Sequence, residues 1–122
     1  MRSLIAVLSI AVLALAPGIA SARAARSSDL SATTATAVSV QAKNFSFVLS
    51  RTTVPHGTVT FMITNLGPTS HDFSIAGHTS ALVAQHRTTR LTVTLTKPGS
   101  YPYRCTVDDH AALGMKGVLR VT

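Results

Sequence analysis

Three residues that can bind a soft metal stand in one short segment near the C-terminus. Cys105 is the only cysteine of the chain, His110 follows after four residues, and Met115 follows His110 at the same spacing. Copper electron-transfer sites hold the metal with two imidazoles and a thiolate in a plane, and with a weak thioether on the axis. The segment therefore predicts most of a mononuclear copper site, and His71 is the candidate for the second imidazole.

Copper is favoured over zinc, because structural zinc sites are closed tetrahedra of cysteine and histidine without a thioether. Taken alone, a buried cysteine or methionine is more often an inert part of the core. The order and spacing of the candidates nevertheless favour one copper ion per chain. His56, His78 and His86 show no ligand spacing and are predicted to be solvated loop residues outside the site.

The N-terminus has the pattern of a secretory signal peptide. Arg2 precedes an apolar run over residues 4–16, and small residues at 20–22 fit a cleavage site, so residues 1–22 are predicted to be removed. An uncleaved membrane anchor is the alternative, but a spanning helix needs about 20 apolar residues. The mature protein is thus expected outside the cytoplasm, periplasmic or secreted, without a membrane span. There, metal binding would protect a lone cysteine from unwanted disulfides.

Composition divides the rest of the chain into a linker and one domain. Residues 23–37 are mostly arginine, serine, alanine and threonine, a composition that predicts a flexible linker. The folded domain is predicted to cover residues 38–122. The net charge is +7. The cations are scattered and no basic run is interleaved with aromatic residues, so a nucleic-acid partner is not expected. An acidic protein partner or an anionic cell envelope fits the charge better.

Alternation of apolar and polar residues predicts an all-β domain. Short strands separated by turn signals indicate a β-sandwich of two sheets with about seven or eight strands. A helical turn is predicted only within residues 79–86. The predicted strands cover residues 38–42, 44–49, 58–64, 71–75, 90–96, 101–105 and 117–122.

The same alternation predicts how the strands present the candidate ligands. Tyr101, Tyr103 and Cys105 should share the inner face, with Arg104 facing solvent. His71 should approach the metal from a rigid neighbouring strand, with Phe73 and Ile75 anchoring that strand in the core. The small Ala111 and Ala112 should leave an edge of the His110 imidazole near the surface.

Asp72 follows the candidate ligand His71 directly. It is predicted to accept a hydrogen bond from Thr106, which would hold the two ligand segments in register. A solvated aspartate is the alternative.

The chain resembles the cupredoxins, the blue-copper proteins, over about residues 40–122. The resemblance implies a Greek-key β-sandwich, one type 1 copper held by His71, Cys105, His110 and Met115, and one-electron transfer. The loop spacing is closest to plantacyanin-like and rusticyanin-like members, although Asp108-Asp109 replaces the Pro-Gly of many relatives. The motifs are Gly57-Thr-Val-Thr-Phe, Asn65-Leu-Gly, His71-Asp-Phe, Lys97-Pro-Gly-Ser-Tyr-Pro-Tyr-Arg-Cys105 and His110-Ala-Ala-Leu-Gly-Met-Lys-Gly117.

The leading hypothesis is an exported, monomeric electron carrier that meets a redox protein partner and is not an enzyme. The alternative is an extracytoplasmic copper-binding or delivery protein without an electron-shuttle role. A copper enzyme is disfavoured, because multicopper oxidases and copper nitrite reductases need further cupredoxin domains and further histidine ligands.

Overall fold

The computed structural model describes residues 35–122, and every regular element in that part of the chain is a β-strand. No helix long and apolar enough to cross a membrane occurs within it. The strands are β1 (Thr36–Lys43), β2 (Ser46–Leu49), β3 (Thr53–Val54), β4 (Gly57–Asn65), β5 (Ser74–Ile75), β6 (His78–Thr79), β7 (Thr88–Leu95), β8 (Gly99–Arg104) and β9 (Lys116–Val121).

The strands form two mixed sheets. One sheet has the order β2-β1-β4-β7, and the other has the order β3-β9-β8-β5-β6. The pairs β1–β4 and β3–β9 are parallel, and the other paired strands are antiparallel. The predicted two-sheet β-sandwich is confirmed. The nine strands exceed the expected seven or eight because the two-residue strands β3 and β6 are too short to show alternation.

The inward faces of the two sheets build the core. Along β4, Val59, Phe61 and Ile63 are buried, whereas Thr60 and Met62 between them are only half-buried. In β8, Tyr103 is buried, Tyr101 is half-buried and Arg104 is exposed, as the alternation predicted. Burial of these apolar side chains is the main stabilising contribution to the sandwich. It also makes the strands rigid supports for the loops at one end.

The segment before β5 differs from the prediction. Only Ser74–Ile75 is a strand, so the prediction of a continuous strand over residues 71–75 was wrong. His71 instead forms an isolated antiparallel bridge with Val83. The backbone N–H of His71 donates to the Val83 carbonyl at 3.1 Å, and Val83 N–H returns a bond of 2.7 Å to His71. The expected rigid support for His71 is thus a bridge to a neighbouring segment.

The helical turn predicted within residues 79–86 is also wrong. Residues 78–79 belong to β6, and the segment then runs through the bridge at Val83. The fully buried Asn65 explains the extended path, because its amide Nδ2 donates to the Val83 carbonyl at 2.9 Å. The backbone N–H of His86 donates to the Asn65 carbonyl at 2.8 Å. These contacts satisfy backbone groups that a helix would have paired locally.

The predicted signal peptide, residues 1–22, lies outside the described residues. So does most of the predicted linker over residues 23–37. Strand β1 begins at Thr36 and therefore includes the last two positions of that linker.

Candidate metal centre

A short loop between β8 and β9 gathers three of the four candidate ligands. Cys105 directly follows β8 and is 1% exposed. Its backbone N–H donates to the Met115 carbonyl at 3.0 Å, and the Met115 N–H donates to the His110 carbonyl at 3.1 Å. These backbone bonds close the loop, so Cys105, His110 and Met115 are held next to one another. The Met115 side chain is fully buried.

The loop needs unusual backbone conformations to close. Gly114 has a φ of +121°, a region that side chains other than glycine rarely adopt. A Cβ atom at this position would also lie 3.0 Å from the carbonyl oxygen of Phe45. Gly114 therefore lets the loop pack closely against the turn that carries Phe45.

The donor atoms of His71, Cys105 and His110 converge on one point. Nδ1 of His71 lies 3.2 Å from Nδ1 of His110. Sγ of Cys105 lies 4.0 Å from Nδ1 of His71 and 3.7 Å from Nδ1 of His110. A triangle with sides of 3.2, 3.7 and 4.0 Å has a circumscribed radius of about 2.1 Å. Bonds from imidazole nitrogen and thiolate sulfur to a first-row metal ion are about 2.0–2.3 Å long.

The cluster therefore has the size of a metal site as well as suitable donors. All three side chains are buried, and their ligating atoms lie within 4.8 Å of one another. Two imidazoles and one thiolate with a neighbouring buried methionine are the donor set of a copper electron-transfer site. The residues fit one type 1 copper ion.

A hydrogen bond fixes the orientation of the His71 ring. Nε2–H of His71 donates to Oδ1 of Asn44 at 2.9 Å, which leaves the Nδ1 lone pair directed at the donor cluster. The same Asn44 oxygen accepts a bond from Oγ1 of Thr69 at 2.6 Å. Such partners of a ligating histidine set its tautomer and its basicity.

Gly67 makes room for this contact. A Cβ atom at position 67 would lie 2.6 Å from Oδ1 of Asn44, closer than side chains tolerate. The absence of a side chain at Gly67 is therefore a condition for the bond between Asn44 and His71.

Asp72 joins the two ligand segments. Its carboxylate accepts the backbone N–H of Thr106 at 2.6 Å, and its second oxygen accepts the Thr106 hydroxyl. Asp72 is 7% exposed, which rules out the alternative of a solvated aspartate. The predicted bond between Asp72 and Thr106 is confirmed, and it holds the residue after His71 against the residue after Cys105.

Burial shifts the titration of two candidate ligands. It lowers the pKa of His71; a smaller contribution from His110 acts in the same direction, and Asp72 opposes it. Burial raises the pKa of the Cys105 thiol, although backbone N–H groups of Asp72 and Val107 favour the thiolate. His71 is therefore a neutral lone-pair donor near pH 7, and a metal ion would displace the thiol proton on binding.

His110 links the cluster to the surface. Its ring packs against Phe45 with ring centroids 4.9 Å apart, and the residue is 6% exposed. The contacts of its ring with Nδ1 of His71 and Sγ of Cys105 are both made by Nδ1. Since no buried side-chain nitrogen of residues 35–122 lacks a hydrogen-bond partner, Nε2 reaches solvent. The predicted surface edge of the imidazole is confirmed.

The other histidines lie away from the cluster. His56, His78 and His86 are exposed, in agreement with the prediction, although His78 lies in β6 and not in a loop. None of them joins the ligating group found in residues 35–122. His56 has a structural contact, because its Nδ1 lies 3.0 Å from the carbonyl oxygen of Thr122.

Asn44 is the site residue that the sequence did not predict. The alternation pattern placed it at the start of a strand, whereas the structure places it in the turn between β1 and β2. Its role depends on a contact across 27 residues with His71. No local motif marks such a contact, so only the fold could reveal it.

Comparison with known proteins agrees with this architecture. The family model for the cupredoxin-like domain matches residues 6–121. No curated protein sequence matches the chain.

Three solved structures with similar folds are auracyanins. Sodium-dithionite-reduced auracyanin of the photosynthetic bacterium Roseiflexus castenholzii has a TM-score of 0.66 and 21% identity, over 74% of this chain and 99% of that one. Auracyanin B has a TM-score of 0.65 and 20% identity, over 74% and 91%. Auracyanin A, described as a "blue" copper protein from the green thermophilic photosynthetic bacterium Chloroflexus aurantiacus, has a TM-score of 0.64 and 22% identity, over 73% and 100%.

The likeness to these structures shows a common fold. The family match covers nearly the whole chain. The β-sandwich and the His-Cys-His cluster at the end of its strands agree with that match. The chain belongs to the cupredoxin-like family.

Proposed function

We propose that the protein is an exported blue-copper carrier of single electrons, with His71, Cys105, His110 and Met115 as the ligands of one copper ion. The observation that carries the proposal is the donor triangle, whose centre lies about 2.1 Å from each of three buried donor atoms. Membership in the cupredoxin-like family supports a copper-binding electron carrier, and so does the fold shared with the auracyanins, one of which is described as a "blue" copper protein.

Copper, when bound, exchanges one electron between Cu(I) and Cu(II). The protein's contribution is a site that changes little when that electron arrives or leaves. Asn44 fixes the His71 ring, and Asp72 fixes the spacing between the His71 and Cys105 segments. The buried core around Cys105 keeps water from the sulfur. The exposed edge of His110 offers an electron path to a partner protein.

Four protein donors around one metal leave no open position for a substrate, in contrast to catalytic metal sites. The proposal therefore assigns the protein a carrier role and no catalytic step. Export to the periplasm or the exterior rests on the predicted signal peptide over residues 1–22. A redox protein is the proposed partner, and the protein is proposed to act as a monomer.

A copper-delivery role is the second candidate, favoured by the position of His110, which at 6% is the most exposed of the four proposed ligands. A delivery protein must release copper readily, whereas a carrier must retain it through redox cycles. An intense blue colour with reversible one-electron reduction supports the carrier. A colourless Cu(I) site that exchanges rapidly with chelators supports delivery.

The test is a titration of the purified mature protein with Cu(II). We expect strong thiolate-to-copper absorption in the orange-red that saturates at one equivalent and disappears on stoichiometric reduction. Cys105→Ser should abolish the band, because serine lacks the soft thiolate. His56→Ala is the matched control, since His56 is exposed and outside the cluster, and it should leave the band unchanged. A band that survives Cys105→Ser would refute the ligand assignment.

A further inference from the structure

An open groove of about 1020 Å³ lies beside the candidate metal centre, on the outer side of the five-stranded sheet. Its walls come from β5, β8 and β9, and it reaches the loop at Ala111 and Ala112, immediately after His110. The middle of the groove is apolar. There, Pro102 and Val118 stand opposite each other in register, and Val118 is 54% exposed.

The end of the groove nearest the metal centre is cationic. Arg104 and Lys116 are direct cross-strand partners and both are exposed. Like charges directly opposite each other destabilise a sheet. No acidic residue occurs in β5, β8 or β9 to neutralise this pair. The exposed Asp108 and Asp109 belong to the neighbouring loop but do not line the groove. The pair is thus a fixed positive site that an anionic ligand would stabilise.

We infer that this groove docks an acidic segment of the redox partner. The segment would place a carboxylate on Arg104 and Lys116 and an apolar side chain on Pro102 and Val118. Arginine suits such a role, because its guanidinium binds a carboxylate through two parallel hydrogen bonds. The inference rests on the proposed carrier function and names the partner chemistry of the same site.

Two other occupants fit the charge less well. A second copy of this chain carries the same net charge of +7 and presents the same cationic pair. The chain's own residues 1–34 contain three arginines and one acid, Asp29, so they too would be repelled by the pair. An acidic partner segment is the occupant with complementary charge.

Two residues that line the groove are covalently bonded to candidate ligands of the metal centre. Arg104 precedes Cys105, and Ala111 follows His110. A partner that contacts Arg104 and Ala111 therefore touches the covalent neighbours of two candidate ligands. Docking there would bring a redox centre close without opening the buried cluster.

The experiment is an amide-shift NMR titration of the ¹⁵N-labelled mature protein, in its Cu(I) and copper-free forms. The probe is a synthetic peptide of eight glutamates with a central leucine, and a lysine peptide of the same design is its control. We expect saturable shifts at residues 75–77, 103–104, 111–112 and 116–118 with the acidic peptide and none with the lysine peptide. The shifts should weaken as salt is added, because both cations are exposed.

Charge-reversal variants test the site itself. Arg104→Glu and Lys116→Glu should each weaken peptide binding by about tenfold or more, the loss typical for a charged hydrogen-bonding partner. Arg104→Glu also places opposite charges in register, so it should fold at least as well as the wild type. Arg90→Glu is the matched control, because Arg90 is exposed on the other sheet. It makes the same change in net charge and should leave binding unchanged.

The outcomes separate this inference from the carrier proposal. Groove-specific shifts lost in the Arg104 and Lys116 variants support docking, even if the protein shows no blue absorption. Equal weakening by Arg90→Glu, or shifts spread over all cationic surfaces, would overturn it. So would binding of anionic phospholipid vesicles to the groove without binding of the acidic peptide, which would assign this face to a membrane.

Discussion

The bond between Asn44 and His71 allows a sharp test of how the protein holds its metal centre. His71 is fully buried, and Asn44 is the acceptor for its Nε2–H at 2.9 Å. Asn44→Ala removes that acceptor and frees the ring to rotate or to change tautomer. Loss of a hydrogen-bond partner of a ligating histidine typically lowers metal affinity by about 10- to 100-fold. A buried donor left without an acceptor costs about 1–3 kcal/mol of stability.

The local structure narrows these ranges. Asn44 itself is exposed, so water can replace part of the lost bond. Oγ1 of Thr69 already lies 3.4 Å from Nε2 of His71 and can accept a weak bond. We therefore expect the lower end of both ranges, about tenfold in copper affinity and about 1 kcal/mol in the free energy of unfolding of the copper-free protein.

Gly67→Ala tests the same bond by a different route. The added methyl group would lie 2.6 Å from Oδ1 of Asn44 and should push the amide off His71 without removing it. Asn44→Asp keeps an acceptor and should retain wild-type affinity. Thr69→Val is the matched control: it removes a contact to the same oxygen but leaves the bond to His71, so its affinity should stay within about threefold.

The assay is competition for Cu(I) with a chromogenic chelator, combined with urea unfolding of the copper-free variants. Asn44→Ala and Gly67→Ala should lose affinity together. If both retain wild-type copper affinity, the Asn44 side chain does not position His71, and the reasoning from ring orientation fails.

Three further predictions concern the axial donor, the link between ligand segments and the pH dependence. Met115→Leu should keep the blue colour and raise the reduction potential, whereas Met115→Gln should lower it, because a harder oxygen donor favours Cu(II); voltammetry that gives one potential for all three proteins would assign Met115 to the core alone. Asp72→Asn should keep one acceptor for Thr106 and raise the reduction potential, whereas Asp72→Ala should lose both bonds and weaken copper retention. Wild-type copper retention of Asp72→Ala in chelator competition would contradict this role. Burial lowers the pKa of His71 in the folded state, so the unfolded chain binds the proton first. The stability of the copper-free protein should therefore be fully present above about pH 6.5 and fall below it, and urea midpoints that stay level from pH 7.5 to pH 5 would contradict this.

Much of the fold and of the donor set could be predicted from local patterns. Strand alternation predicted the sandwich and the inward side of Tyr103 and Cys105, because burial on one face repeats every second residue. The loop spacing predicted that Cys105, His110 and Met115 lie together, because the backbone of residues 105–115 folds into one closed loop. The contact between Asp72 and Thr106 followed from the expected closeness of the two ligand segments.

The errors occurred where long-range contacts decide the conformation. The bridge between His71 and Val83 replaces a strand, and the buried amide of Asn65 holds the segment that was predicted to be helical. The Asn44 contact depends on the turn between β1 and β2 meeting a residue 27 positions away. Local periodicity carries no information about such long-range contacts, because the packing of the two sheets determines them.

The central claim is that His71, Cys105 and His110 together hold one copper ion. X-ray absorption at the copper edge of the Cu(II)-loaded protein tests it most directly. The donor triangle predicts two imidazole nitrogens and one sulfur at about 2.0–2.3 Å from the metal. A first shell of nitrogen and oxygen atoms alone, with no short copper–sulfur distance, would contradict the account.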